Sequence, residues 1–250
     1  MMVKDKLLFQ LVPLEIWAKY DAQYTEVPLM TQAKDHYKIS ICTTCMGRTY
    51  DLKKTYQKNI DSNKSYPNIE FVLLNYNSKD DMDEWVKTLT FPVRYVKVTD
   101  PVYYNMADSR NRAFHAATGD ILVNVDADMH IKEGFAFHLN NVAHMFKTRK
   151  MILIKSRQRN RGLIAIFKEV FEDLGGYGKF DDYGFEDYDL IARAYHSGCK
   201  VVKFGGEFSD IIKDHERHPV SNYKEKDWKY TQRRNALISL LGIASGKFKI

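Results

Sequence analysis

The stretch Ile121-Leu122-Val123-Asn124-Val125-Asp126-Ala127-Asp128 constrains the fold of this chain more than any other. A short, β-branched, largely apolar run ends in two carboxylates one residue apart. Gly119-Asp120 precedes it, so the run reads as a buried parallel strand. Asp126 and Asp128 then fall at its carboxyl end, where open α/β sheets bind their ligands. Two carboxylates there pack poorly and suit a divalent cation with oxygen ligands. The bland alternative is a polar strand end that caps the next helix. Two further D-x-D matches, Asp81-Met82-Asp83 and Asp187-Tyr188-Asp189, lack a buried strand before them. Short motifs match by chance, so the rest of the chain has to decide.

The flanking pattern is strand and helix in alternation. Ile39–Thr43 reads as a first strand, followed by a loop over Thr44–Thr49. Leu52, Thr55, Tyr56 and Ile60 recur at helical spacing. Ile69–Asn75 is a second strand, and Met82, Trp85, Val86 and Leu89 predict a helical face. Val93–Val98 is a third strand. Met106, Arg110, Ala113, Phe114 and Ala117 predict a helix that Gly119 stops. After the Asp126 strand, Phe135, Leu139, Val142, Ala143 and Phe146 predict another helix. This order implies βαβ units and a mostly parallel sheet.

The second half changes character. Met151–Lys155 and Gly162–Phe167 read as strands around a basic loop with Arg157, Arg159 and Arg161. Gly175, Gly176, Gly178 and Gly184 then interleave with Tyr177, Phe180, Tyr183 and Phe185. That loop enters Glu186-Asp187-Tyr188-Asp189, which opens a helix carrying Leu190, Ile191, Ala194 and Tyr195. Carboxylates in a first turn suit the helix dipole, and the aromatic loop before them favours a binding surface. Val201–Phe204 is a strand and Tyr223–Leu241 a helical tail. Residues 1–37 read as an N-terminal extension. Within it, Leu7–Trp17 is a strand or edge element, with Pro13 and Pro28 interrupting.

Composition narrows the class. The 250 residues are 44% apolar, enough for a real core, and no run reaches the length of a membrane span. The first ten residues do not read as a signal peptide. Three cysteines are too few for a disulfide scaffold, so the expectation is a cytoplasmic protein. Net charge is +6, which suits an anionic ligand or membrane surface as well as a plainly soluble one. Nucleic acid is not expected, because the basic residues fit no known module. Cys42-Thr43-Thr44-Cys45 matches C-x-x-C, but only Cys199 remains elsewhere. A strand-to-loop turn facing a ligand is the better reading than zinc or redox chemistry. His215 has polar flanks and is a candidate third ligand beside Asp126 and Asp128, giving a mixed N/O site for Mn²⁺ or Mg²⁺. His130 competes for that role. Arg48, Arg110 and Arg112 can serve anionic groups.

Several motifs taken together carry a family resemblance. The first strand with Thr43-Thr44-Cys45-Met46-Gly47-Arg48, then Ser109-Arg110-Asn111, then Ala117-Thr118-Gly119-Asp120 into Asp126-Ala127-Asp128, resembles the family 2 glycosyltransferases of GT-A fold. Arg161-Gly162 through Ala165, Lys168 and Gly176-Tyr177 to Tyr183-Gly184-Phe185-Glu186-Asp187 resembles the C-terminal segment of β-1,4-galactosyltransferases. The resemblance covers residues 38–218.

It implies an α/β GT-A domain with 38–128 as the nucleotide-binding half, 129–218 as the acceptor and catalytic half, and 219–250 as a helical tail. It implies that Thr43, Thr44 and Arg48 hold the nucleotide and that Asn75 lies at the base. Asp108 and Arg110 would contact base and diphosphate. Asp126 would lie near ribose and metal, with Asp128 and His215 as direct metal ligands. Tyr183 would close over donor and acceptor, Asp187 would be the general base, and Glu186 would neighbour the donor sugar. Phe185 replaces a usual glycine, and Tyr188 interrupts the acidic run. The expected activity is inverting transfer from a UDP-sugar to a glycan or lipid-linked acceptor. Mn²⁺ or Mg²⁺ is the expected cofactor, a mobile glycine-rich loop is expected to exclude water, and the basic tail is expected at a membrane surface. The rivals are a sugar-phosphate nucleotidyltransferase, which wants more glycine than Thr43–Arg48 has, and a non-catalytic nucleotide-sugar or glycan binding module.

Overall fold

The structure is a computed structural model and describes residues 25–26, 35–155, 162–204, 208–212 and 219–246. Most of the N-terminal extension, including Leu7–Trp17, lies outside these residues. So do Arg157, Arg159, Arg161, His215 and His218.

The elements run β1 (Thr25–Glu26), β2 (Ile39–Cys45), α1 (Thr49–Asn63), β3 (Ile69–Tyr76), α2 (Met82–Trp85), β4 (Val93–Val98), α3 (Met106–Ala116), β5 (Ile121–Asn124) and β6 (Met129–Ile131). They continue with α4 (Phe135–Met145), β7 (Met151–Lys155), β8 (Ile164–Phe167), α5 (Lys168–Asp173), α6 (Glu186–His196), β9 (Lys200–Phe204), β10 (Ser209–Ile211) and α7 (Trp228–Ala244). One eight-stranded sheet has the order β1-β9-β7-β8-β5-β2-β3-β4, and β6 pairs with β10 in a second, two-stranded sheet. Neighbours in the large sheet are parallel except at β8, which is antiparallel to both β5 and β7. The cause is chain length. A parallel crossover needs about a dozen residues or more, and Lys155 to Ile164 offers fewer.

Strands β2, β5 and β8 are buried along their whole length, as expected for a sheet covered on both faces. Gly119 does more than end a helix. A Cβ there would stand 2.8 Å from the Ser40 backbone nitrogen and 2.9 Å from the Lys38 carbonyl oxygen. Only glycine lets β5 enter this close beside β2. The helix expected over Met82–Leu89 is one α-helical turn and a 3-10 turn at Val86–Thr88. Pro92 lies just beyond, and the residue before a proline avoids helical geometry.

The site-bearing ends converge because β2, β3 and β5 are parallel and in register. Strand β5 stops at Asn124, so Asp126 and Asp128 sit in the turn beyond it. The Met129 amide donates to the Asp126 carbonyl at 2.9 Å, and the Thr55 hydroxyl donates to the Ala127 carbonyl at 2.6 Å, which ties that turn to α1. Among the described residues, no helix is long and apolar enough to cross a membrane.

Candidate functional site

A cleft of about 210 Å³ opens at the carboxyl ends of β2 and β5. Its walls carry Thr44, Arg48, Tyr104, Asp126, Asp128 and Tyr183. Behind them lies a buried cluster of charge. Arg110, on α3, is buried with a side-chain exposure of 2%. Its Nη2 donates to Asp126 Oδ1 at 2.9 Å, and its Nη1 donates to Glu186 Oε1 at 2.8 Å and to Asp187 Oδ1 at 2.7 Å. The guanidinium also lies 5.6 Å from the Tyr177 ring centroid. One side chain thus joins the end of β5 to the first turn of α6.

The local fold makes this meeting obligatory. Asn124 Nδ2 donates to Asp126 Oδ1 at 3.0 Å and to the Gly162 carbonyl at 2.7 Å. A Cβ at Gly162 would stand 2.6 Å from Asp126 Oδ2, so any larger residue would push the carboxylate aside. Asn111 reads the glycine-rich loop from α3. It accepts from the Tyr177 amide at 2.8 Å and donates to the Tyr177 carbonyl at 3.0 Å. Arg193 pairs with the buried Asp189 at 2.7 Å and donates to the carbonyls of Leu174 and Gly176. Asn235 donates to the Gly184 carbonyl at 2.9 Å. The loop expected to be mobile is therefore held by side-chain amides and a buried ion pair.

Phe185, at the cap of α6, has φ +80°. That left-handed conformation favours glycine. Its ring stacks on Tyr188 at 5.3 Å between centroids, so Tyr188 braces the cap of α6.

Charge balance separates the carboxylates. Burial works against ionisation of Asp126, but Arg110 outweighs it and holds the carboxyl below its ordinary value. Burial raises Glu186. Burial beside the Glu186 and Asp126 charges pushes Asp187 up to about 8, against the pull of Arg110. Three carboxylates around one guanidinium leave excess negative charge, and a shared proton relieves it.

Burial, then the Asp126 charge, also raises Asp128. Arg48 Nη2 reaches Asp128 Oδ2 at 3.1 Å, while its Nε donates to Asp51 at 2.8 Å. Asp126 and Asp128 keep side-chain exposures of 39% and 28%. Their hard oxygens fit a divalent cation of the kind that takes one or two carboxylates and completes its shell from phosphates and water. Among the described residues, no group of three or more His, Cys, Asp or Glu comes together to hold a metal. His215 lies outside those residues. His130 sits in β6 opposite Asp210 and away from the cleft.

The remaining predicted site residues divide between the cleft wall and the interior. Thr44 faces the cleft, and its hydroxyl meets the Tyr104 hydroxyl at 2.7 Å. Thr43 points to the opposite face of β2, is buried, and its hydroxyl has no hydrogen-bond partner among the described residues. Asn75 is fully buried, and its amide bonds Tyr95, Asp83 and the Ser78 backbone. Asp108 accepts from Tyr76 at 2.6 Å and from Arg112 at 2.7 Å and is not on the cleft wall. Arg110 meets carboxylates, not a solvent-facing anion site. Cys42 and Cys45 are free and buried. Burial pushes the Cys45 thiol up to about 12 and Cys42 higher, which makes both inert.

The sequence reading missed Tyr104, Asn222 and Tyr223. The Tyr104 ring meets Tyr223 edge-on at 5.3 Å, Tyr223 meets Tyr183 at 5.4 Å, and the Tyr104 amide donates to the Asn222 carbonyl at 2.8 Å. The tail segment thus closes one wall of the cleft.

Comparison with known proteins agrees with this geometry. The family model "Glycosyl transferase family 2" matches residues 40–144, and the model "N-terminal domain of galactosyltransferase" matches residues 144–218. No curated protein matches the sequence. Among solved structures, the mannosyltransferase PcManGT from Pyrobaculum calidifontis, in complex with GDP-Man and Mn²⁺, superposes with a TM-score of 0.62 at 16% identity. That match covers 84% of this chain and 68% of the other. GalNAc-T7 with UDP, GalNAc and Mn²⁺ also gives 0.62, at 15% identity, with 84% of this chain covered. The match spans only 48% of GalNAc-T7, about half its length. The two family segments abut at residue 144, and Arg110 stitches them together. Residues 40–144 are thus similar to family 2 glycosyltransferases and residues 144–218 to galactosyltransferases, on a GT-A fold shared with both solved structures.

Proposed function

We propose that the chain is an inverting, metal-dependent transferase. It would move a hexose or N-acetylhexosamine from a UDP-sugar to a hydroxyl of a glycan or lipid-linked saccharide. One observation carries this reading. Arg110 gathers Asp126, at the nucleotide end of the cleft, and Asp187, at the galactosyltransferase-like end, within one hydrogen-bond shell. The neighbours with Mn²⁺ and nucleotide sugars support the donor class and the metal.

Asp126 and Asp128 would hold the divalent cation, which when bound supplies neutralising charge to the leaving diphosphate. Arg48, beside Asp128, adds a fixed positive charge on the same wall. Tyr183 and Tyr223 cover the cleft and keep water from the donor. Asp187 takes the proton of the acceptor hydroxyl as its oxygen attacks the anomeric carbon from the face opposite the leaving group. A single displacement inverts that centre. The raised carboxyl of Asp187 makes it a stronger base than an exposed aspartate. Arg110 fixes its position.

Calorimetric titration of UDP with and without Mn²⁺, with GDP and CMP as controls, tests the reading. UDP binding that needs Mn²⁺ is expected. GDP binding in its place would overturn the donor base, and no nucleotide binding with any metal would overturn the transferase reading.

A further inference from the structure

The described residues expose six large apolar side chains: Val102, Tyr103, Trp228, Tyr230, Ile238 and Leu241. Four belong to α7. The other two lie on the loop after β4, which shares a cavity of about 620 Å³ with Lys224 and Arg234. The exposed apolar surface is thus collected on α7 and the loop beside its N-terminal end.

Helix α7 turns polar side chains inward and leaves apolar ones exposed. Its buried stripe holds Thr231, Asn235 and Ser239, all with zero exposure. Ser239 donates to the buried Asp189 at 2.7 Å, and Asn235 donates to the Gly184 carbonyl, so polar groups do the inward packing. The outward face carries Tyr230, Ile238 and Leu241. A soluble helix shows the reverse arrangement.

The cavity beside this face carries Asp100, Asp181, Asp182 and Glu225 as well as Arg112 and Arg234, but the border along α7 is basic. Lys224 and Lys226 precede the helix, and Lys229 and Arg233 lie on it; all four are exposed. No acidic residue occurs between Trp228 and Ala244. Asp227 just before it is engaged as the cap, accepting from the Lys229 and Tyr230 amides. An apolar stripe edged by lysine and arginine is how a helix lies in the headgroup boundary of an anionic bilayer, with the basic stems buried and their charges reaching outward. A second copy of the chain would set like charge against like, in a protein already at +6.

We propose that α7 and the Val102-Tyr103 loop form a docking face for the surface of an anionic lipid bilayer. Tyr104 lines both the cavity beside this face and the cleft. On the transferase reading above, docking would therefore hold the cleft near a lipid-linked acceptor.

Flotation of the full chain with vesicles needs no nucleotide, so its result is independent of the transferase reading. Binding is expected to phosphatidylcholine vesicles containing roughly one third phosphatidylglycerol, not to phosphatidylcholine alone, and to weaken at high salt. Arg233→Glu changes two charge units, and at about five-fold each should weaken binding about twenty-five-fold. Leu241→Ser should weaken it about ten-fold or more. Lys87→Gln, on the turn after α2, should change it less than about two-fold. Circular dichroism checks that each variant folds. Absence of flotation at low salt overturns the proposal. So does an equal loss in Lys87→Gln, which would mean that overall charge and not this face is responsible. A dimer that Leu241→Ser splits, without vesicle binding, would assign the face to a second copy and overturn it as well.

Discussion

Two arginines hold the carboxylates of the cleft, in opposite surroundings. Arg48 bonds Asp51 and Asp128 from a side chain 30% exposed, where water shares the charge. Arg110 bonds Asp126, Glu186 and Asp187 at 2% exposure. A pair near solvent contributes little to stability and can exchange partners. A buried one costs desolvation, and removing one member strands the others. The difference divides the labour. On the transferase reading, Arg48 would release Asp128 when a cation or phosphate arrives, while Arg110 would fix the distance between donor and base.

The largest effect expected is on catalysis. Asp187→Asn keeps the size of the side chain and one hydrogen bond but removes the base. Transfer should fall by about 10²–10⁴, with UDP binding by calorimetry nearly unchanged. If transfer survives, Asp187 is not the base. The pH profile sharpens this. Because the folded carboxyl is raised to about 8, the base form of the free enzyme gains population as pH rises through that value, so kcat/KM should climb across it. Stability has the opposite sign. Between the ordinary aspartate range and about 8 the folded state binds the extra proton, so metal-free protein should lose thermal stability as pH rises through that window. Asp187→Asn should flatten that slope.

Next comes Arg110→Ala, which strands three carboxylates and should cost about 3–5 kcal/mol in denaturant unfolding. Arg110→Ala combined with Asp126→Asn and Glu186→Gln should recover part of that loss, since the neutral set no longer repels. A cost under about 1 kcal/mol for the single variant would erase the contrast with Arg48.

Phe185→Gly has a smaller effect with two opposed parts. Glycine relieves a left-handed backbone worth about 1 kcal/mol or more. It also loses the stacked pair with Tyr188, worth about 0.5–1.5 kcal/mol, together with the ring's burial. Phe185→Ala loses the ring and keeps the strain. The glycine variant should therefore unfold at higher denaturant than the alanine variant, by about 1 kcal/mol.

Legibility in the sequence followed the range of the interaction. Strand β4, half-exposed at the sheet edge, matches its expected bounds and β5 its expected place, because a strand's apolar pattern is legible within a few residues. The pairing of Asp126 with Asp187 by way of Arg110 was not readable as a contact. It joins Asp126, 16 residues from Arg110, to Asp187, 77 residues from it, through a sheet order that only the fold supplies. Thr43 was assigned to the cleft although neighbouring strand residues face opposite ways, so alternation could have separated it from Thr44. Asn75 sits where a base contact is expected in chain order, but Tyr95 and Asp83, brought by β4 and α2, consume its amide. Tyr223 and Asn222 carry no motif at all. They reach the cleft because the tail folds back across Tyr104.

The smallest effect expected is at Arg48, and it tests the exposed half of the contrast. Arg48→Gln removes both ion pairs from a group that water already screens. Stability should drop by about 0.2–1 kcal/mol, and a double-mutant cycle with Asp128→Asn should give a coupling within that range. The Asp128 carboxyl, already raised by burial and by Asp126, should rise further without its cation. Because Mn²⁺ competes with that proton, nucleotide binding in Arg48→Gln should need higher pH or more metal than in the parent. A coupling of several kcal/mol would make Arg48 a second fixed post. Asp128 would then be too tightly held to exchange its partner for a cation.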